Sequence, residues 1–207
     1  MEKGLGVVCA KPYEEFLKVA TPSGKPASHR ASVSGMINRD EQAMTVKEGW
    51  RGRFFEDFEV GDVYEHPLGR TITSADNIWF TLLTQNTAPI HFDHHYAAQT
   101  EFGRPLVNSC LTLSLVTGQS VTDVSQNVMA NLGWDEVSLP NPVFEGDTIY
   151  SRSEVLEIRE SKSRKNIGIV TVRTTGLNQH GTEVITFRRT AMIYRRGQGP
   201  TTKAPGA

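Results

Sequence analysis

The stretch Pro105-Leu106-Val107-Asn108-Ser109-Cys110-Leu111-Thr112-Leu113-Ser114-Leu115-Val116-Thr117-Gly118-Gln119-Ser120-Val121 is apolar or small almost all the way round. Pro105 suits a first helical position, where its missing N–H has no intrahelical partner to lose. A helix without a polar face is a buried helix. The pattern predicts one over residues 106–121, and its small residues would let a neighbouring backbone or a ligand come close. Beyond Val121 the chain reads as sheet. Residues 132–139 suit a strand, Pro140-Asn141-Pro142 breaks it, and Glu145-Gly146-Asp147 is a turn signal. Three long strands rich in Ile and Val come next, at 148–160, 167–177 and 183–195. The short connections Ser161-Lys162-Ser163-Arg164-Lys165-Asn166 and Asn178-Gln179-His180-Gly181 make them antiparallel neighbours. The expectation is an α+β fold in which a curved antiparallel sheet of five or so strands wraps one long, wholly buried central helix.

Upstream, organisation begins at Trp50. Phe54-Phe55-Glu56-Asp57-Phe58 supplies anchoring aromatics, Val60-Gly61-Asp62-Val63 a turn into a strand, and residues 68–72 a second short strand. Thr73 offers a helix N-cap, and Asp76 three residues on completes a capping box with Asp in place of Glu. Ile78, Trp79, Leu82 and Leu83 then recur at helical spacing, predicting a helix over 75–83. That helix delivers the chain to Thr84-Gln85-Asn86-Thr87-Ala88-Pro89-Ile90-His91-Phe92-Asp93-His94-His95-Tyr96-Ala97-Ala98, which holds three of the six histidines within five residues. His91 with His94 or His95 has a spacing that admits a metal, with Asp93 between. Pro89 ahead of them and the lack of an assured helix favour surface placement of His94 and His95 instead.

The chain of 207 residues is 38% hydrophobic and 22% charged, an ordinary globular composition, and its net charge of −1 gives no signal for nucleic acid. No apolar run approaches the ~20 residues of a membrane helix. Cys9 and Cys110 are too few and too far apart for a disulfide framework or a thiolate metal site, and Cys110 is expected to be a small buried hydrophobe. With no signal-peptide pattern at the start, a reducing cytoplasm is the expectation. Residues 1–48, with the Ser/Pro/Gly-rich TPSGKPASHRASVSG, are expected to form a flexible extension, 49–197 the folded domain and 198–207 a disordered tail. No phosphate-binding glycine loop, nucleophile elbow or Cys-x-x-Cys pair is present, so no cofactor or metal is expected.

The layout resembles the hot-dog fold, and residues 84–97 resemble the hydratase motif of the MaoC-like, (R)-specific enoyl-CoA hydratases, roughly S-G-D-x-N-P-L-H-x-D-x-x-x-A. Pro89, His91, Asp93 and Ala97 match it. Gly103-Arg104-Pro105-Leu106-Val107-Asn108-Ser109-Cys110-Leu111 resembles that family's entry to the central helix, where a backbone N–H faces the thioester carbonyl. The resemblance spans about residues 50–196. It departs at three places: the catalytic Asp of the family is Asn86, its Asn is Ala88, and its oxyanion Gly corresponds to Ser109. The branch that hydrates mesaconyl-CoA and itaconyl-CoA looks most similar. It shows a comparable T-x-N-T-x-P-[LI]-H-F-D segment, and it shares elements like Asn131-Leu132-Gly133-Trp134-Asp135-Glu136-Val137 and Asn141-Pro142-Val143-Phe144-Glu145-Gly146-Asp147-Thr148.

The resemblance implies reversible addition of water to a branched C5 dicarboxylyl-CoA, with the acyl-CoA as the only partner molecule and a homodimer, or a multiple of it, as the assembly. His91 would move the protons, as imidazoles titrate near neutrality, and Asn86, whose amide cannot titrate, would position water. Ser109 and Cys110 N–H groups would face the thioester oxygen, with Asn108 beside them. Arg104, or else Arg51 or Arg53, would hold the free carboxylate, and Arg164 and Lys165 would meet CoA phosphates unless their turn is merely solvated. Two other classes remain open: a hot-dog thioesterase, for which Asn86 supplies no carboxylate, and a non-catalytic acyl-thioester binding protein.

Overall fold

The computed structural model describes residues 47–201. Residues 1–46 and 202–207, which hold most of the expected leader and tail, lie outside the described residues. The three long strands form as the sequence predicts: β4 (Thr148–Glu160), β5 (Ile167–Leu177) and β6 (Glu183–Tyr194). They are consecutive antiparallel neighbours, with Tyr150 opposite Leu177 and Ile167 opposite Tyr194. Two short strands, β1 (Val63–Glu65) and β2 (Arg70–Thr71), pair with β4. On the other side β3 (Val128–Ser138) pairs with β6, so the order is β1-β4-β5-β6-β3. β3 begins at Val128 rather than at 132, and three register shifts against β6 bend it. Its outer rim carries no strand partner among the described residues, and Leu132, Trp134 and Val137 on it are exposed. The sheet therefore does not close on itself.

Three α-helices lie among the described residues, besides short 3-10 and π turns: α1 (Ser74–Leu83), the single turn α2 (His94–Ala97) and α3 (Ser109–Gln119). α3 is the central helix, and it lies on the sheet through Thr112 and Val116. Its approach depends on Gly176 of β5. A Cβ there would sit 2.8 Å from both Val116 Cγ2 and Ile185 Cγ2. Two expectations are corrected. α3 starts three residues later than predicted, because residues 105–107 run alongside 143–144 instead: Leu106 bridges Phe144 and the Val107 N–H donates to Val143 O (2.9 Å). Nor is the helix buried all round: Ser109, Cys110, Ser114 and Gly118 are exposed, Cys110 as a free thiol. An open sheet covers one side of a helix only, and a helix equally apolar on every side gives no clue to which.

The interior is two apolar clusters separated by a polar belt. Along the inner face of β4 the order is Ile149, Ser151, Ser153, Val155, and along β6 it is Ile185, Phe187, Arg189, Ala191. In the belt, His66 Nδ1 lies 2.9 Å from Asp123 Oδ2 and Nε2 lies 2.9 Å from Ser153 Oγ. A carboxylate only accepts, so Nδ1 carries the proton and Nε2 accepts from the Ser153 hydroxyl. Ser153 Oγ in turn lies 2.9 Å from Thr174 Oγ1, and Asp123 Oδ1 accepts from Arg53 (2.9 Å). This Ser–His–Asp order is not a nucleophile site, since Ser153 is wholly buried. Arg189, also fully buried, donates to Ser120 Oγ (3.1 Å) and Ser125 Oγ (3.3 Å), and burial pushes its pKa down to about 10.

The belt makes stability depend on pH. Burial pushes the pKa of His66 below the ordinary histidine value, with Arg189 adding to that, against the opposing pull of Asp123 and Glu65. The unfolded chain therefore takes up the proton first as pH falls below ~6.5, and stability is lost from there down to the depressed folded value. Burial acts to raise Asp123, but the bonds from His66 and Arg53 outweigh it and hold the carboxyl low, so its contribution is lost only at more acid pH. The urea midpoint is expected to fall between pH 7 and pH 5, with a shallower slope in His66→Gln. Equal slopes in the two proteins would contradict this coupling.

Candidate active site

The site is assembled from both ends of α1. At its start, Thr73 Oγ1 accepts from the Asp76 N–H (3.3 Å) and Asp76 Oδ2 accepts from the Thr73 N–H (2.8 Å), the capping box read from the sequence. At its end, Gln85 N–H donates to Leu82 O and Asn86 N–H to Thr81 O (both 3.0 Å), with Gln85 in the left-handed region at φ 59°. That is a Schellman closure without the usual glycine. The buried face of α1 is polar: Asn77 and Thr81 point inward, while Trp79 and Leu83 are about three-quarters exposed (74% and 77%). The inward residues bind backbone. Asn77 Nδ2 donates to His91 O (2.8 Å) and Leu106 O (3.2 Å), and Asn77 Oδ1 accepts from the Asn108 N–H (3.0 Å).

Beyond the closure, Asn86 folds into an Asx turn, its Oδ1 accepting from the Ala88 N–H (2.9 Å). Pro89–His91 is one 3-10 turn, and His91 Nδ1 lies 2.8 Å from Leu106 O. A carbonyl only accepts, so the neutral ring carries its proton on Nδ1 and keeps the Nε2 lone pair for chemistry. Asp93 does not bond His91. It caps α2, accepting from the Tyr96 N–H (2.9 Å). His94 and His95 are exposed, and His94 Nε2 lies 3.9 Å from Glu145 Oε2. Among the described residues no three His, Cys, Asp or Glu side chains are grouped as metal ligands.

At the start of α3 the predicted donors separate. Asn108 is the N-cap: its Oδ1 accepts from the Cys110 N–H (2.9 Å) and its Nδ2 donates to Thr81 Oγ1 (3.2 Å). Each end of its buried amide thus makes one hydrogen bond within the protein, and Asn108 is not among the residues that line the neighbouring cleft. The same bond occupies the Cys110 N–H, so Cys110 offers no oxyanion donor. Ser109, at the first helical position, has no acceptor for its N–H among the described residues. It faces a cleft of about 250 Å³ lined also by Phe102, Leu106, Val107, Pro142 and Val143.

Of the cations, Arg104 is exposed with its guanidinium carbon 3.8 Å over the Phe144 ring, and no carboxylate pairs with it among the described residues. Arg51 and Arg53 are engaged elsewhere, with Glu48 and Asp123, each at 2.9 Å. Arg164 and Lys165 sit on the turn from β4 to β5. His91 is tied to the opposite end of β4, so about 40 Å of strand lies between them at ~3.3 Å per residue. One chain does not bring them together. The residues that sequence reasoning missed are Asn77, Thr81 and the Leu106 carbonyl. The available signal was a polar pair at i,i+4, Asn77 and Thr81, set among Ile78, Trp79, Phe80, Leu82 and Leu83.

This fold and this site define a hot-dog protein of the MaoC-like class. The structure aligns with a MaoC domain protein dehydratase from Chloroflexus aurantiacus at TM-score 0.69 and 31% identity, over 77% of this chain and 46% of that one. A Mycobacterium tuberculosis protein described as a double hot-dog fold aligns at TM-score 0.65 and 25% identity, over 75% and 48%. Residues 36–205 match the mesaconyl-CoA hydratase family, and the chain belongs to that family. A mesaconyl-CoA hydratase of Cereibacter sphaeroides is 32% identical over 154 residues, 74% of this chain and 45% of the relative. The chain thus spans less than half the length of the mesaconyl-CoA hydratases it matches.

The two hydrogen bonds of the Asn108 side chain, to Cys110 and Thr81, should be visible in stability. Asn108→Ala is expected to cost about 1–2 kcal/mol in urea unfolding, for the lost cap and the buried Thr81 hydroxyl left unpaired. A change below ~0.3 kcal/mol would show that the cap contributes nothing.

Proposed function

We propose that the protein is a hydro-lyase that adds water reversibly to mesaconyl-CoA, giving β-methylmalyl-CoA. The observation that carries this reading is the His91 ring, whose Nε2 has no partner among the described residues and whose Nδ1 is held by the carbonyl of Leu106, three residues before Ser109 and its unpartnered N–H. Family membership supports the same substrate class; itaconyl-CoA is a further candidate, giving citramalyl-CoA. In the forward direction His91 Nε2 takes a proton from water and the hydroxyl oxygen bonds to the β-carbon. The electron pair of the double bond moves onto the thioester as an enolate, and the Ser109 N–H and the α3 dipole stabilise its oxygen. A proton from His91 then bonds to the α-carbon. Asn86 Nδ2, left over from the Asx turn, orients the water. Arg104 holds the free carboxylate, which it can reach because no carboxylate among the described residues competes for it.

The exchange of Asp for Asn at position 86 fits a dicarboxylyl substrate. An ionised Asp beside the substrate carboxylate would be repelled by a few kcal/mol at short range, on the order expected at an effective dielectric of ~20. Asn86→Asp is expected to lower kcat/KM on mesaconyl-CoA by about tenfold more than on crotonyl-CoA, which is ~1.4 kcal/mol of that repulsion. Equal losses on both substrates would sink the carboxylate argument. The thioesterase reading would need free thiol release, and Asn86 offers no carboxylate for it.

Assembly is proposed as a homodimer. The open rim of β3, the exposed outer side of α3 and the double-length relatives support a second copy taking the place of a second hot-dog unit. The free exposed Cys110 suits a reducing compartment such as the cytoplasm. Light scattering is expected to give twice the mass of one chain, and a monomer mass at micromolar concentration would contradict the pairing.

A further inference from the structure

We infer that Asn77 is the positioning residue that sets the general base against the oxyanion donor, an inference resting on the roles given above to His91 and Ser109. Its side chain is wholly buried and touches neither the cleft nor solvent. The orientation of its amide is fixed by chemistry: the Asn108 N–H can only donate, so the atom 3.0 Å from it is Oδ1, and Nδ2 faces the carbonyls. Nδ2 then holds the two carbonyls that place the base. It donates to the main-chain carbonyl of His91 (2.8 Å) and to Leu106 O (3.2 Å), the same oxygen that accepts the His91 Nδ1–H (2.8 Å). On its other side, Oδ1 holds the N–H of Asn108, the residue directly before Ser109. One rigid planar amide thus spans from the carbonyl that holds the imidazole to the helix terminus.

No other side chain of this length does both. Leucine would leave the His91 carbonyl and the Asn108 N–H buried and unpaired. Aspartate would hold the Asn108 N–H but press a carboxylate against two carbonyl oxygens. Thr81, one turn on, backs the same frame by accepting from Asn108 Nδ2 (3.2 Å). Glu145 Oε1 lies 3.4 Å from Asn77 Nδ2, at the edge of this network. The periodic apolar residues of α1 are left outside because the inward face is reserved for these bonds.

The test uses the full chain. With mesaconyl-CoA as substrate, Asn77→Ala is expected to lower kcat about 10²-fold, the scale of a misplaced catalytic group, while KM stays within about threefold. The nitrogen NMR shifts of the His91 ring, read without substrate, are expected to show one Nδ1–H tautomer in the native protein and a mixture in Asn77→Ala. Thr81→Val, which removes only the acceptor behind Asn108, covers the case in which Asn77→Ala does not fold, and should lower kcat about tenfold with KM unchanged. Wild-type kcat together with an undisturbed His91 tautomer in these variants overturns the inference, as does a loss confined to KM. If the native protein fails to hydrate mesaconyl-CoA, it is the functional reading that falls, and the His91 tautomer alone decides the positioning role.

Discussion

The carbonyl oxygen of Leu106 is where the motif, α1 and the entry to α3 meet. It accepts from the His91 ring and from Asn77, and its residue is bridged to Phe144. That oxygen is available only because α3 starts late. A helix running from residue 106 would give the Leu106 carbonyl to the N–H of Cys110, four residues on. In the protein the Cys110 N–H goes instead to the side chain of Asn108, and the freed carbonyl turns to the histidine. The helix cap and the tautomer of His91 are thus two results of one backbone choice.

The same constraint explains the composition of the interior. α1 buries Asn77 and Thr81 and leaves Trp79 and Leu83 outside, because the inward side chains must supply donors and acceptors to segments that have no ladder of their own. In the belt, His66 and Arg189 tie the side chains of Ser120, Asp123 and Ser125, at and just beyond the end of α3, to the sheet. The packing of α3 itself rests on the bare backbone of Gly176.

Much of this was legible in the sequence. Strands β4, β5 and β6 declare themselves through β-branched residues and short connections, and the capping box of Thr73 and Asp76 forms as spelled. His91 is marked by its neighbours Pro89 and Asp93. Pro105 was misleading: it fits a first helical turn, and nothing local says that the chain stays extended for three more residues to meet 143–144, which lie far away in sequence. Apolar periodicity in α1 named the helix but not its inward face, since a polar side chain can face inward when the bonds it makes there are worth more than its hydration. The uniform α3 could not reveal its exposed side. His66 gave no local sign at all, because its partners Asp123 and Ser153 come from two other elements.

The central claim is addition of water to a carboxylated enoyl thioester, and the isotope of the added oxygen tests it most directly. Mesaconyl-CoA incubated with the protein in water enriched in heavy oxygen should lose its enoyl-thioester absorbance and give a hydroxyacyl-CoA carrying one heavy oxygen on the β-carbon, with no free thiol. Heavy oxygen appearing in a released carboxylate with free CoA, or an unaltered substrate that nevertheless binds, would contradict that claim.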